Sequence, residues 1–216
     1  DGKPRVNIGG GGGSGGRVAV YYQNITGFDL TKISAFGGTG NGGQANGGAG
    51  TVYLQGPARE AGELIVDNNN LAVGSLTTPI TNPASGSIAL THLRLRRQAH
   101  VRLDSLLTLT GTLELNSNAA FVSTQRTVAE TIGVTNNSLI THLPTTATAS
   151  FKVDISAGNL TVDATSKIDV SGRGFLGGRQ PENPFVGRGM TFGLQAGSSR
   201  GGGGGYGGLG VGVSKP

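Results

Sequence analysis

Three groups of side chains in this sequence could do chemistry. Asp154, Asp163 and Asp169 alternate with apolar neighbours, so strands through them would turn three carboxylates outward. On stacked strands such carboxylates can work as an acid and base pair on a polysaccharide, or can hold calcium. The plainer reading is a solvated outer face, and nothing marks nearby Lys167 or Arg173 as a base. His92, His100 and His142 lack the close spacings that zinc sites favour, and no helical pattern places two of them on one face. Thr91-His92-Leu93 recurs as Thr141-His142-Leu143, which predicts equivalent rungs of a coil for the two histidines. Arg94, Arg96, Arg97 and Arg102, with His100, gather positive charge within nine residues. Such a strip could bind an anionic polysaccharide or nucleic acid. Nucleic acid is disfavoured, because no aromatic residues are interleaved to stack on bases.

Other patterns dissolve on inspection. Gly172-Arg173-Gly174-Phe175-Leu176-Gly177 matches the glycine fingerprint of dinucleotide sites, but a helix must open there, and Gly178, Pro181 and Pro184 follow instead. No phosphate-loop pattern occurs. Asn24-Ile25-Thr26, Asn136-Asn137-Ser138 and Asn159-Leu160-Thr161 fit the N-glycosylation pattern in a chain where chance matches are expected. There is no cysteine, which removes disulfides, thiolate metal sites and cysteine nucleophiles. The expectation is therefore a protein with no catalytic, cofactor-binding or metal-ligating residue and no cofactor, and not an enzyme.

The elements that carry these residues are strands. Apolar residues alternate at period two in Leu93/Leu95, Val101/Leu103, Leu107/Leu109, Leu113/Leu115, Val153/Ile155, Leu160/Val162 and Ile168/Val170. Turn-forming clusters fall between them: 67–70, 116–118, 136–138 and 157–159. No stretch has helical periodicity with caps, so almost no helix is expected. The close pitch of the strands favours an all-β fold of the parallel β-solenoid (β-helix) kind over a sandwich. Glycine is blocked: 18 of the 41 lie in residues 1–56, 6 in 57–171 and 17 in 172–216. The predicted division is a glycine-rich β segment (1–56), a solenoid core (57–171) and a glycine-rich tail (172–216). In the first block, strands are expected at residues 17–22, 32–36 and 51–54. The glycine spacing excludes collagen but leaves open polyproline II-like glycine bundles or tight arcs.

Gly9–Gly13, Ser14-Gly15-Gly16-Arg17-Val18-Ala19-Val20-Tyr21-Tyr22, Ile33-Ser34-Ala35-Phe36-Gly37-Gly38, Gly48-Ala49-Gly50-Thr51-Val52-Tyr53-Leu54, residues 160–174 and Gly201–Gly205-Tyr206-Gly207-Gly208 together resemble the glycine-rich, β-helical repeat modules of very large bacterial secreted or surface proteins. In such modules the block near 168–178 precedes the Gly-Gly-Ser-Gly-Gly-Arg block; here the order is reversed, as in a circular permutation. The resemblance implies that residues near 172–216 of one copy complete what residues near 1–56 of the next begin, and that the chain is a structural subunit of an extracellular filament, sheath or adhesin stalk.

The expected partner is a further copy of the chain, head to tail, with an anionic polysaccharide or cell surface as a second possibility. A net charge of +5 permits such attraction without specifying it. No run of 18 apolar residues occurs, so no membrane-spanning helix is expected. The start at Asp1, without Met or a signal-peptide pattern, reads as a processed piece or one segment of something longer. Localisation outside the cell follows as an expectation. Deleting residues 1–16 or 201–216 is expected to leave the middle folded and abolish polymerisation; filaments of unchanged length in electron micrographs would contradict this.

Overall fold

The computed structural model describes residues 9–200 and 202–205; the expectations placed on residues 1–8, 201 and 206–216, Tyr206, Gly207 and Gly208 among them, lie outside the described residues. The described residues are strand-rich, and their only helical elements are two three-residue 3₁₀ turns, Leu30–Lys32 and Phe192–Leu194. They divide into two compact units. One holds the residues up to Thr141 together with Asp154–Ile168; the other holds His142–Val153 and the residues from Asp169 on.

Thirteen strands fall in the first unit: β1 (Arg17–Tyr21), β2 (Thr51–Gly56), β3 (Arg59–Asp67), β4 (Thr78–Ile80), β5 (Ser87–Leu90), β6 (His92–Arg96), β7 (His100–Leu103), β8 (Leu106–Asn116), β9 (Ala120–Ser123), β10 (Thr127–Val134), β11 (Leu139–Thr141), β12 (Ile155–Val162) and β13 (Lys167–Ile168). The larger sheet runs β1-β2-β3-β6-β8-β10-β12, with β5 paired to the first half of β8; the smaller runs β13-β11-β9-β7-β4. Neither sheet closes on itself. From β6 to β13 the chain alternates between them. Every pair is parallel except the β2–β3 hairpin.

Alternation puts one face of each strand inward, and the parallel register stacks those residues into columns. Leu93, Leu113 and Ile132 stand side by side, as do Val66 and Leu95, Leu95 and Leu115, and Leu115 and Val134; all are fully buried. In the smaller sheet Val101, Phe121 and Ile140 form a column of the same kind. Each such side chain stabilises by about 1.5–3 kcal/mol on burial.

After successive strands of the larger sheet the chain turns through two consecutive left-handed residues: Asn69-Asn70, Arg97-Gln98, Ser117-Asn118 and Asn136-Asn137. Asn tolerates this conformation because its short amide bonds locally. The corners also bond to each other, with the Gln98 N–H donating to Ser117 O at 2.9 Å and the Asn118 N–H to Asn136 O at 2.8 Å. Three of the expected turn clusters sit at these corners. The fourth, 157–159, instead lies inside β12, where Leu160/Val162 belongs to one eight-residue strand that begins at Ile155. Leu107/Leu109 and Leu113/Leu115 likewise share one strand, β8, which runs through Gly111, where a Cβ would strike the His92 ring. Residues 32–36 are not a strand, and Val153 and Val170 lie outside the strands.

The glycines of residues 9–50 follow a different period. Segments 9–16, 35–41 and 44–50 run beside one another, the second and third joined by a turn through the left-handed Gly42 and Gly43, and exchange main-chain bonds cyclically. Gly12 and Gly15 donate to Ala45 and Gly48, Gly47 and Gly50 to Gly38 and Ala35, and Gly38 and Asn41 to Gly13 and Gly10, at 2.7–3.0 Å. Donors recur every third residue, the period of polyproline II rather than of a strand. Every third residue also faces the axis. A Cβ at Gly12, Gly15, Gly37, Gly47 or Gly50 would lie 1.8–2.0 Å from a neighbouring backbone oxygen. None of these glycines has positive φ, so close approach and not handedness demands them. Asn68, fully buried, ties this bundle to the end of β3: its amide accepts from the Gly37 N–H at 3.0 Å and donates to Gly47 O at 3.3 Å and Leu71 O at 2.7 Å.

The second unit repeats the device with segments 175–178, 187–190 and 202–205. Gly178 donates to Gly202 O, Gly205 to Met190 O, and Met190 to Leu176 O. A Cβ at Gly189 or Gly204 would lie 2.1 or 1.9 Å from a backbone oxygen. Strands β14 (Arg188–Thr191) and β15 (Gln195–Arg200) pair antiparallel beside it.

In the first bundle, Gly13 and Gly16 would meet nothing within 4 Å if given a Cβ. Gly12→Ala and Gly15→Ala should therefore each destabilise by about 1–3 kcal/mol or more, whereas Gly13→Ala and Gly16→Ala should be neutral or stabilise by about 0.4–1 kcal/mol. Urea-unfolding midpoints of the four variants check this three-residue alternation.

Candidate functional site

The three aspartates are each absorbed by local structure. Asp154 lies 3.9 Å from the Arg126 guanidinium. Asp169 accepts from the Ser171 N–H at 2.9 Å. Asp163 caps the turn after β12: one carboxylate oxygen accepts from the N–H groups of Thr165 and Ser166 at 3.0 and 2.8 Å, the other from the Asn136 N–H at 2.7 Å. These bonds, that from Asn136 foremost, hold its carboxyl far below the usual carboxylate range. An acid of this kind is a hydrogen-bond acceptor built into a turn, unsuited to exchanging protons near neutrality. Among the described residues no group of three or more His, Asp or Glu stands close enough to hold a metal ion.

The histidines also separate. His92 opens β6 in the larger sheet, and its Nδ1 accepts from the Thr112 N–H at 3.1 Å. Thr141 instead ends β11 of the smaller sheet, and the buried His142 has its Nδ1 2.6 Å from Leu143 O. The repeated Thr-His-Leu therefore does not mark equivalent rungs; the two copies enter different sheets. Burial pushes His100 below its ordinary value near 6.5. The fingerprint-like 172–177 opens no helix; Gly172 is left-handed, and Leu176 O accepts from Met190 within the second glycine bundle. The asparagines of the three glycosylation patterns are exposed, Asn159 within β12.

The arginines come closest to a site. Alternation places Leu93 and Leu95 inward and Arg94 and Arg96 on the outer face of the larger sheet, as their spacing predicts. The parallel register then brings carboxylates beside them. Glu63, on β3 and only 3% exposed, is bridged by Arg59 and Arg94; Arg94 also reaches Glu114 on β8. Arg97 grips Asp67 with its Nε at 2.9 Å and its terminal nitrogen at 2.7 Å, while its guanidinium lies 5.2 Å from the centre of the Phe36 ring. Arg102 pairs with Asp104 at 2.9 Å. Burial lowers the Arg94 pKa, but its bonds to Glu63 and the field of Glu114 outweigh that and raise it.

The cationic strip read from the sequence is thus largely neutralised at home. Apart from Asp104, two residues from Arg102, its partners come from positions 18 to 31 residues away, visible only once the strand register is known. Arg59, Glu63, Asp67 and Glu114 carried no sequence signal beyond being charged residues on alternating strands. Above them, residues 30–36 cross the outer face and leave a groove of about 350 Å³. No protein-family model, curated protein or solved structure matches the chain.

Because the Asp163 pKa is depressed on folding, its contribution to stability is fully present above the ordinary value near 3.8 and fades as pH falls below it. Asp163→Asn should therefore lower the melting temperature at pH 7, and the gap to the parent should narrow as pH drops from 5 toward 2. Thermal melts across that range measure it; a gap independent of pH would contradict the assignment.

Proposed function

We propose that the chain is a β-solenoid structural subunit of an extracellular filament, sheath or adhesin stalk, assembling head to tail with copies of itself by strand addition. One observation carries the reading. Both parallel sheets end on an edge whose core-register residues are bare. Among the described residues, β12 pairs with no strand but β10, and β13 with none but β11. Leu160, Val162 and Ile168 continue the columns of Ile132, Val134 and Ile140, which are fully buried, yet they are 47, 38 and 41% exposed.

An edge strand with an apolar rung in register is a template for one more strand. At the opposite limit of the larger sheet, β1 pairs among the described residues with β2 alone. Docking the β1 edge of one copy on the β12 and β13 edge of another joins unlike surfaces, and a contact of that kind extends into a filament when it does not close. The amino-terminal glycines support the same reading: Gly13 and Gly16 occupy positions where the chain's own fold requires no glycine, leaving a bare backbone open to a neighbour. The resemblance to glycine-rich repeat modules of secreted proteins points the same way. The rival polysaccharide-cleaving reading draws nothing from Asp154, Asp163 and Asp169, whose carboxylates serve turns and an ion pair.

Replacing Leu160 and Val162 together by Lys should abolish association in sedimentation and filaments in negative-stain micrographs, with the melting temperature unchanged, since both residues are exposed. Filaments of unchanged length would sink the proposal.

A further inference from the structure

The groove beneath residues 30–36 has the size of a small-molecule site, for which about 300–1,000 Å³ is usual. Val52, Leu54 and Ile65 give it an apolar floor, and Arg59, Arg94, Arg96 and Arg97 give it a cationic side. The charges do not balance. Four guanidiniums meet three carboxylates, Glu63, Asp67 and Glu114. Glu63 is bound by Arg59 and Arg94, and Asp67 by Arg97. Glu114 is bound closely by Arg94, which leaves Arg96 a share of the same carboxylate at 3.5 Å. Arg96 makes no other side-chain hydrogen bond among the described residues, and its side chain is 39% exposed. The Ser34 hydroxyl, also lining the groove, has no hydrogen-bond partner among them.

We infer that this groove binds a singly charged carboxylate carried on a sugar ring, a hexuronate unit of an acidic polysaccharide, with the carboxylate on Arg96. A surplus of one positive charge is neutralised by one carboxylate, whereas a phosphate monoester, carrying about −1.5 to −2 at neutral pH, overshoots it. Guanidinium offers carboxylate a planar two-bond contact that a point charge does not. A pyranose ring has an apolar face for the half-buried Ile65 and hydroxyls for the exposed Ser34. The inference does not rest on self-assembly, because the groove lies on the outer face of β2, β3 and β6, away from β12 and β13.

Calorimetric titration of the full chain with trigalacturonate should give saturable binding that weakens at least tenfold in Arg96→Gln. Ser34→Glu, which supplies the missing carboxylate from within, should weaken it equally while circular dichroism stays unchanged. Arg102→Gln, outside the groove, should bind as the parent does. No saturable heat at millimolar trigalacturonate, equal affinity for neutral maltotriose or inorganic phosphate, or parental affinity in both groove variants would overturn the assignment. Repeating the titration on the Leu160/Val162 lysine variant separates the two ideas: binding retained without filaments supports the groove alone, and binding lost only there overturns its independence.

Discussion

Main-chain hydrogen bonding between segments distant in sequence is the constraint from which the rest follows. Buried N–H and C=O groups must find partners, and this chain meets the demand in two geometries. In the parallel sheets, bonds come with a two-residue alternation, so side chains can be large on the buried face: Leu93, Leu113 and Ile132 fill it. In the glycine bundles, bonds recur every third residue and backbones meet at an axis that admits no Cβ, as at Gly12 and Gly47. One period places the core in side chains; the other dispenses with side chains altogether. Asn68 links the two by giving its amide to the backbone of Gly37 and Gly47.

The stacked register also decides the electrostatics. Because β3, β6 and β8 lie side by side in parallel, Asp67 comes beside Arg96, and Arg94 beside Glu114. Charges dispersed along the chain become a ladder, and Glu63 can be buried because two guanidiniums meet it. A buried carboxylate with one partner removed is costly, so such a network constrains register as well as contributing to stability. The one guanidinium left with a shared partner follows from counting that ladder.

Much of the fold was legible. Period-two alternation at 93–95, 101–103 and 113–115 marked strands with their leucines inward, and Asn-rich clusters at 67–70, 116–118 and 136–138 marked corners. The misses share a cause. Residues 157–159 looked like a turn because Gly158 and Asn159 favour one, but pairing with β10 extends the strand through them. Residues 32–36 looked like a strand, but their neighbours are glycine segments of a different period. Local propensity was overridden where a distant backbone supplied the bonds.

By itself, the sequence determined the all-β character, the inward and outward faces of most strands, the corners, and the contrast between glycine-rich ends and a glycine-poor middle, since these depend on residue type and period alone. Only tertiary structure decided which strands are neighbours, which carboxylate meets which arginine, and which glycines crowd an axis while others stay bare. Those are relations between backbones some 20 to 35 residues apart, as in Arg94 with Glu114 or Gly12 with Ala45, and no local pattern records them.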